Sequence, residues 1–178
     1  MTQSFPPATI GYGFSHAHLL GTEPLKPGEK FTYRIDWHYT ITDSRTSWGR
    51  SNMEKFEKGG KIFEIAQWYP RVCAYTDVRG WQNKAFLGRG EFALEFGDYR
   101  VQITAPDNHV VASTGELKNG DKVLKAVWQK RLKKAESVKA PMFIVTPEEA
   151  AKNEQSKSRG TKTWVFEAKN VRDFAWAS

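Results

Sequence analysis

The chain has 178 residues, with 39% hydrophobic and 13% aromatic residues and a formal charge of +7 from 27 Lys+Arg against 20 Asp+Glu. That length suits one ordinary domain, and the aromatic content excludes a disordered chain. No apolar run approaches the ~20 residues of a membrane-spanning helix, the single Cys73 excludes an internal disulfide framework, and Met1 to Ala8 lacks the basic and apolar parts of a signal peptide.

In chain order, Thr2 to Gly28 is rich in proline and glycine and is expected to be a loop-rich lead-in, residues 1–28, ahead of one domain at 29–178. The clearest strand follows. Phe31, Tyr33, Ile35, Trp37, Tyr39 and Ile41 alternate without exception with Lys30, Thr32, Arg34, Asp36, His38 and Thr40. Period two predicts a long strand with one buried face. Asp43 to Lys61 is polar and predicts a loop. Ile62 to Ala66 and Tyr69 to Tyr75 predict short strands around Gln67.

Gly97-Asp98 is a two-residue turn signal between alternating runs. A hairpin there pairs Phe96 with Tyr99, Leu94 with Val101 and Phe92 with Ile103 on one face, and Glu95 with Arg100 on the other. Ala105-Pro106 ends the second strand, and another starts within His109 to Ser113. Lys122 to Ser137 has the helical period, through Val123/Leu124, Val127/Trp128 and Leu132. The basic run Lys122 to Lys134 lies on that helix and is a solvated face rather than a nucleic-acid footprint. Met142 to Val145 predicts a short strand. Thr146-Pro147-Glu148-Glu149 gives an N-cap, Pro at the first helical position and Glu at the third, a capping box. Asn153 to Gly160 predicts a loop and Thr163 to Ala168 a strand. The sum is mainly β: an antiparallel β-sandwich with one or two short helices.

Chemistry is sparse. His16-x-His18 offers two metal ligands without a third nearby, and His38 and His109 read as surface and loop residues. No His-Glu-x-x-His, Gly-x-Ser-x-Gly, Walker or dinucleotide motif occurs. Cys73 reads as a buried structural cysteine on an apolar strand. In Gln67-Trp68-Tyr69-Pro70-Arg71, a Gln beside two aromatics and a proline is either a ligand-recognising surface or a strand irregularity whose rings fill the core. The ending, Val171 to Ser178, is apolar and aromatic where domains usually end polar. It predicts a fragment of something larger.

Phe63-Glu-Ile-Ala-Gln-Trp-Tyr-Pro-Arg71, Tyr75-Thr-Asp-Val-Arg-Gly-Trp81 and Phe86-Leu-Gly-Arg-Gly-Glu-Phe92 resemble the amino-terminal domain of the aminopeptidase N family of zinc metallopeptidases (gluzincins), in a bacterial branch. Gly97-Asp-Tyr-Arg-Val-Gln-Ile-Thr-Ala-Pro106, Val110-Val-Ala-Ser-Thr-Gly-Glu-Leu117 and Asn170-Val-Arg-Asp-Phe-Ala-Trp-Ala-Ser178 extend the resemblance, which covers Gly21 to Ser178. It implies a saddle-like, noncatalytic β-sandwich that packs on a thermolysin-like catalytic domain lying beyond this chain. The zinc belongs to that domain, and none is expected in this chain, which alone is expected to be inactive. Gln67 falls in the segment that, by the resemblance, reaches the peptide substrate's free amine. Phe174 or Trp176 is then expected at the junction with the catalytic domain, or to drive self-association when it is missing; the alternative is that both rings fold back into the sandwich core with Arg172 and Asp173 outward. Relatives in this branch are often exported to the periplasm or cell surface. A second class remains open: a stand-alone β-sandwich module that binds a protein or glycan.

Overall fold

The computed structural model describes residues 25–46, 49–57, 59–83, 89 and 92–178. In chain order its elements are β1 (Thr42–Asp43), β2 (Ser51–Lys55), β3 (Lys61–Ile65), β4 (Tyr75–Thr76), β5 (Gly80–Trp81), β6 (Gly97–Pro106), β7 (Ala112–Ser113) and β8 (Glu116–Leu117). The helices α1 (Gly120–Val123), α2 (Ala126–Ala135) and α3 (Pro147–Gln155) follow, then β9 (Thr161–Val171) and β10 (Trp176–Ala177). Among the described residues strand outweighs helix, 30% to 16%, so the fold is mainly β with few short helices. The chain divides into two compact units, residues 1–39 with 69–95, and 40–68 with 96–178.

In the larger unit, one sheet has the order β1-β2-β3-β10-β7 and a second the order β6-β9-β8. Their pairings are antiparallel except for β1 with β2. The long β6–β9 ladder sets Val101 opposite Phe166 and Ile103 opposite Trp164. This places Ile103, Trp164 and Phe166 on one buried face, where Trp164 and Phe166 lie stacked at 6.5 Å. The other face carries Arg100, whose guanidinium bonds the Glu167 carboxylate directly across the ladder. Val123 and Trp128 of the helices, Ile65 of β3, Ala105, Ala168, Val111 and Phe174 are buried as well.

Several expectations are corrected. The hairpin at Gly97-Asp98 does not form: Gly97 begins β6, residues 92–96 form no strand, and the partner of β6 is β9. The apolar face and the acid for Arg100 are supplied by 161–171 instead of 92–96. Residues 31–41 alternate as read but pair with no described residue as a strand. Alternation defines two faces; a strand also needs a backbone partner. Met142 to Val145 and Tyr69 to Ala74 are likewise not strands, while the supposed loop from Asp43 to Lys61 contains β2. The helical period from Lys122 is real but broken, because Leu124 and Lys125 are extended between α1 and α2. Lys125 caps α2, its ammonium lying 4.3 Å over the Trp128 ring and 2.9 Å from the Asn153 side chain.

In the smaller unit, β4 and β5 form an antiparallel ribbon that turns through residues 77–79, with Gly80 at φ +68. The Tyr75 and Trp81 rings meet edge to face at 5.2 Å. Cys73 is half-buried outside any strand, and it is the neighbouring Ala74 that is buried.

The capping box forms as read. Thr146 Oγ1 accepts from the Glu149 N–H at 3.3 Å, and Glu149 Oε2 accepts from the Thr146 N–H at 2.9 Å. Arg131 reaches the same carboxylate at 2.5 Å and the Ile144 carbonyl at 3.1 Å, which ties α3 to α2. The Thr146 N–H, and after it Arg131, hold Glu149 down to about 2 from an ordinary 4.5. A depressed carboxyl stabilises the fold above its ordinary pKa, and this contribution is lost as pH falls toward 2. Thr146→Ala should therefore cost about 1 kcal/mol at neutral pH. Glu149→Gln should flatten the fall in urea midpoint between pH 5 and pH 2 by about the contribution of this one group. An unchanged acid limb in Glu149→Gln would contradict the assignment.

Candidate functional site

The candidate site is built where β2 and β3 open. Past the ladder, the Ala66 N–H still donates to the Arg50 carbonyl at 2.8 Å. One residue on, the Ser51 hydroxyl donates to the Gln67 carbonyl at 3.0 Å and accepts from the Gln67 N–H at 3.3 Å. A single hydroxyl thus satisfies both backbone groups of Gln67, and the residue itself is exposed. The backbone is pinned while the amide remains available to a ligand.

Trp68 is half-buried, and its indole N–H donates to the Phe174 carbonyl at 3.0 Å. This bond brings the end of β3 to the segment that leads into β10. There the Phe174 N–H donates to the Asp173 carboxylate at 2.8 Å, and the Ala175 N–H donates to the Thr114 hydroxyl at 3.1 Å. Phe174 is wholly buried, its ring 5.9 Å from that of Tyr99, so it offers no area to another domain. Trp176 is half-buried, between Ile65 and Ser113 in the sheet. The structure therefore brings Gln67 and Trp176 to one end of the same sheet and takes Phe174 inside.

An open depression of about 900 Å³ lies along the same sheet; Ile65, Ala66 and Trp176 line it, and Gln67 is not among its lining residues. Register sets Asn52, Glu64, Ala177 and Ala112 in one row across four strands. The two alanines leave the hollow, and Asn52, Glu54 and Glu64 line it with oxygen acceptors, with Arg50 also on its wall. Such a wall suits a cationic or amine-bearing ligand. Asn52 and Glu54 fall in the segment expected to be loop, where the alternation of Ser51 and Met53 with Asn52 and Glu54 is the signal of β2; Glu64 and Ala112 join them only through the sheet order.

Other expected groups are dispersed. His38 is exposed. His109 packs on Phe63 at 5.8 Å and its Nδ1 lies 3.0 Å from the Ser178 hydroxyl; burial pushes its pKa down. His16 and His18 lie outside the described residues. Among the described residues no cluster of three or more His, Cys, Asp or Glu is placed to hold a metal. No described helix is long and apolar enough to cross a membrane.

No family model matches the chain, and neither a curated protein nor a solved structure matches it.

Proposed function

We propose that this chain is a noncatalytic, β-rich domain of a zinc-dependent aminopeptidase and that Gln67 is the group it lends to the substrate site. The observation that supports this reading best is the exposed Gln67 on a backbone fixed by Ser51. A side-chain amide oxygen accepts from an ammonium, and fixing its backbone lowers the entropy lost when it does so. Trp176, at the same end of the sheet, is then the group nearest at hand to meet the catalytic domain. The metal would supply Lewis acidity and an activated water. In this reading the zinc is carried by the catalytic domain of the parent protein.

The test is expression of the full reading frame from which the chain derives. The expected product carries stoichiometric zinc, has a His-Glu-x-x-His after Ser178, and releases amino-terminal residues from peptides. Gln67→Ala should raise KM about tenfold or more while kcat changes little, the signature of a lost hydrogen bond to a charged group. The isolated 178-residue chain should bind no zinc and cleave nothing. Zinc-dependent turnover in the isolated chain would refute this assignment. A full-frame product without peptidase activity that binds a protein or glycan would move the chain to the stand-alone binding class.

A further inference from the structure

Strand β6 stands at the edge of its sheet, paired with β9 on one side and with no described strand on the other. Two bonds fix the direction of its backbone groups. The Asp107 N–H donates to the Gly160 carbonyl at 3.0 Å, and from the far side of β9 the Lys118 N–H donates to the Val165 carbonyl at 2.8 Å. Backbone groups alternate along an antiparallel strand, so residues 101, 103 and 105 turn theirs to β9, and Arg100, Gln102 and Thr104 turn theirs outward. Among the described residues those outward N–H and C=O groups meet no hydrogen-bonding partner. The three side chains are exposed, on the face where Arg100 bonds Glu167 and the Thr104 hydroxyl lies 2.8 Å from that of Thr163. The open stretch is bounded. A bulge between Gly97 and Tyr99 interrupts it at one end, and Pro106, which has no N–H, closes it at the other.

We propose that β6 pairs antiparallel with β6 of a second copy of this chain, about a twofold axis at Gln102, joining the two sheets β8-β9-β6 into one. Centred there, Arg100 faces Thr104 of the second copy, Gln102 faces Gln102, and Thr104 faces Arg100. Each of these is a hydrogen-bonded pair, so every outward N–H and C=O of the open stretch is satisfied at once. On the other face Val101 meets Ile103 of the second copy, which continues the apolar side of the sheet that Ile103, Trp164 and Phe166 already form. Arg100 keeps its bond to Glu167 and meets a hydroxyl rather than a charge. The contact is isologous, as a twofold requires, and an open strand edge is the surface that takes up another strand.

The two ends of the stretch select this occupant and this register. Moving the axis from Gln102 to Val101 carries Thr104 onto Asp98, inside the bulge, and moving it to Arg100 sets Arg100 against Arg100, like charges directly opposite. Moving it the other way, to Ile103 or Thr104, sets Arg100 or Gln102 against Pro106, which has no N–H to give. An axis between residues turns outward groups toward groups already spent on β9. Parallel in-register pairing again opposes Arg100 to Arg100. The antiparallel register centred on Gln102 alone uses the whole stretch, and it places an uncharged residue on the axis.

The experiment is sedimentation velocity on the whole chain, with amide hydrogen exchange as the second readout. The wild type should be largely dimeric at about 100 μM. Gln102→Lys sets two ammonium groups against each other on the axis, and Gln102→Glu two carboxylates; each should weaken dimerisation about fivefold or more. An equimolar mixture of the two variants sets Lys against Glu and should dimerise more tightly than either alone. Gln102 is exposed, so circular dichroism should show the same fold in all three proteins. The amides of Arg100, Gln102 and Thr104 should exchange quickly in dilute wild type and slowly at dimerising concentration, while those of Val101 and Ile103, held by β9, stay slow at both. A wild type that stays monomeric, Lys and Glu variants that dimerise as tightly as it does, or a mixture no tighter than its components would each overturn the proposal. So would a dimer in which the exchange of those three amides does not depend on concentration, because the contact would then lie on another surface.

Discussion

Gly115→Ala is expected to be among the most damaging single substitutions in the larger unit. Gly115 joins β7 to β8 with φ +86, a conformation that L side chains rarely adopt. A Cβ there would lie 2.4 Å from the Glu167 carbonyl oxygen and 2.9 Å from the Ala168 Cβ. Both obstacles belong to β9, which is held on one side by β6 and on the other by β8. Its backbone cannot move without breaking a ladder. The left-handed conformation costs roughly 1–2 kcal/mol and forced overpacking about 1–3 kcal/mol more. The sum, about 2–5 kcal/mol, should lower Tm on the order of 10 °C. Gly60→Ala is the matched control. Its Cβ would approach the Glu154 carboxylate even more closely, but that is the free end of a flexible side chain on α3. The carboxylate can swing aside, and the change should stay within about 0.5 kcal/mol. Thermal unfolding of the two variants side by side checks the distinction. Equal losses would show that β9 yields as readily as a side chain.

Faces were legible in the sequence, and partners were not. Arg100, Val101 and Ile103 ask for an acid and two large apolar residues across a ladder. Glu95, Leu94 and Phe92 satisfy that request nearby, and Glu167, Phe166 and Trp164 satisfy it 61 to 67 residues away; the structure takes the distant set. A turn at Gly97-Asp98 has the lower loop-closure cost. The distant pairing runs over β6 from Gly97 to Pro106 and buries Trp164 and Phe166, which the local hairpin would not. Local signals succeeded where the chemistry itself is local: the capping box from Thr146 to Glu149 needs only four residues, and both its hydrogen bonds are present. At the candidate site, Gln67 was legible as a polar residue among aromatics. Its anchor Ser51 was not, because a hydroxyl 16 positions away carries no pattern. The same holds for Asn52, Glu64, Ala112 and Ala177, which share a row only because of the sheet order.

Phe174→Ala should destabilise the larger unit by about 3–5 kcal/mol, as the loss of a wholly buried aromatic ring does. The ring is 0% exposed and lies against Tyr99 of β6, although Phe174 itself precedes β10 of the other sheet. It therefore links the two ladders through their interiors. The backbone around it multiplies the effect. The Phe174 carbonyl is the acceptor for Trp68, Ala175 exchanges hydrogen bonds with Thr114, and Ser178 exchanges two with Phe63. A cavity at 174 loosens the segment that holds β3 and β7 together through β10. Phe174→Leu keeps most of the volume and should cost less than half as much. Urea unfolding followed by tryptophan fluorescence reads both variants, and the Trp68 signal should respond first in Phe174→Ala because its hydrogen bond ends on this residue. Sedimentation supplies the second readout. If Phe174 acts only inside the chain, Phe174→Ala lowers the urea midpoint and leaves the mass of the folded species unchanged. A variant of wild-type stability but altered mass would place the ring at an interface between chains.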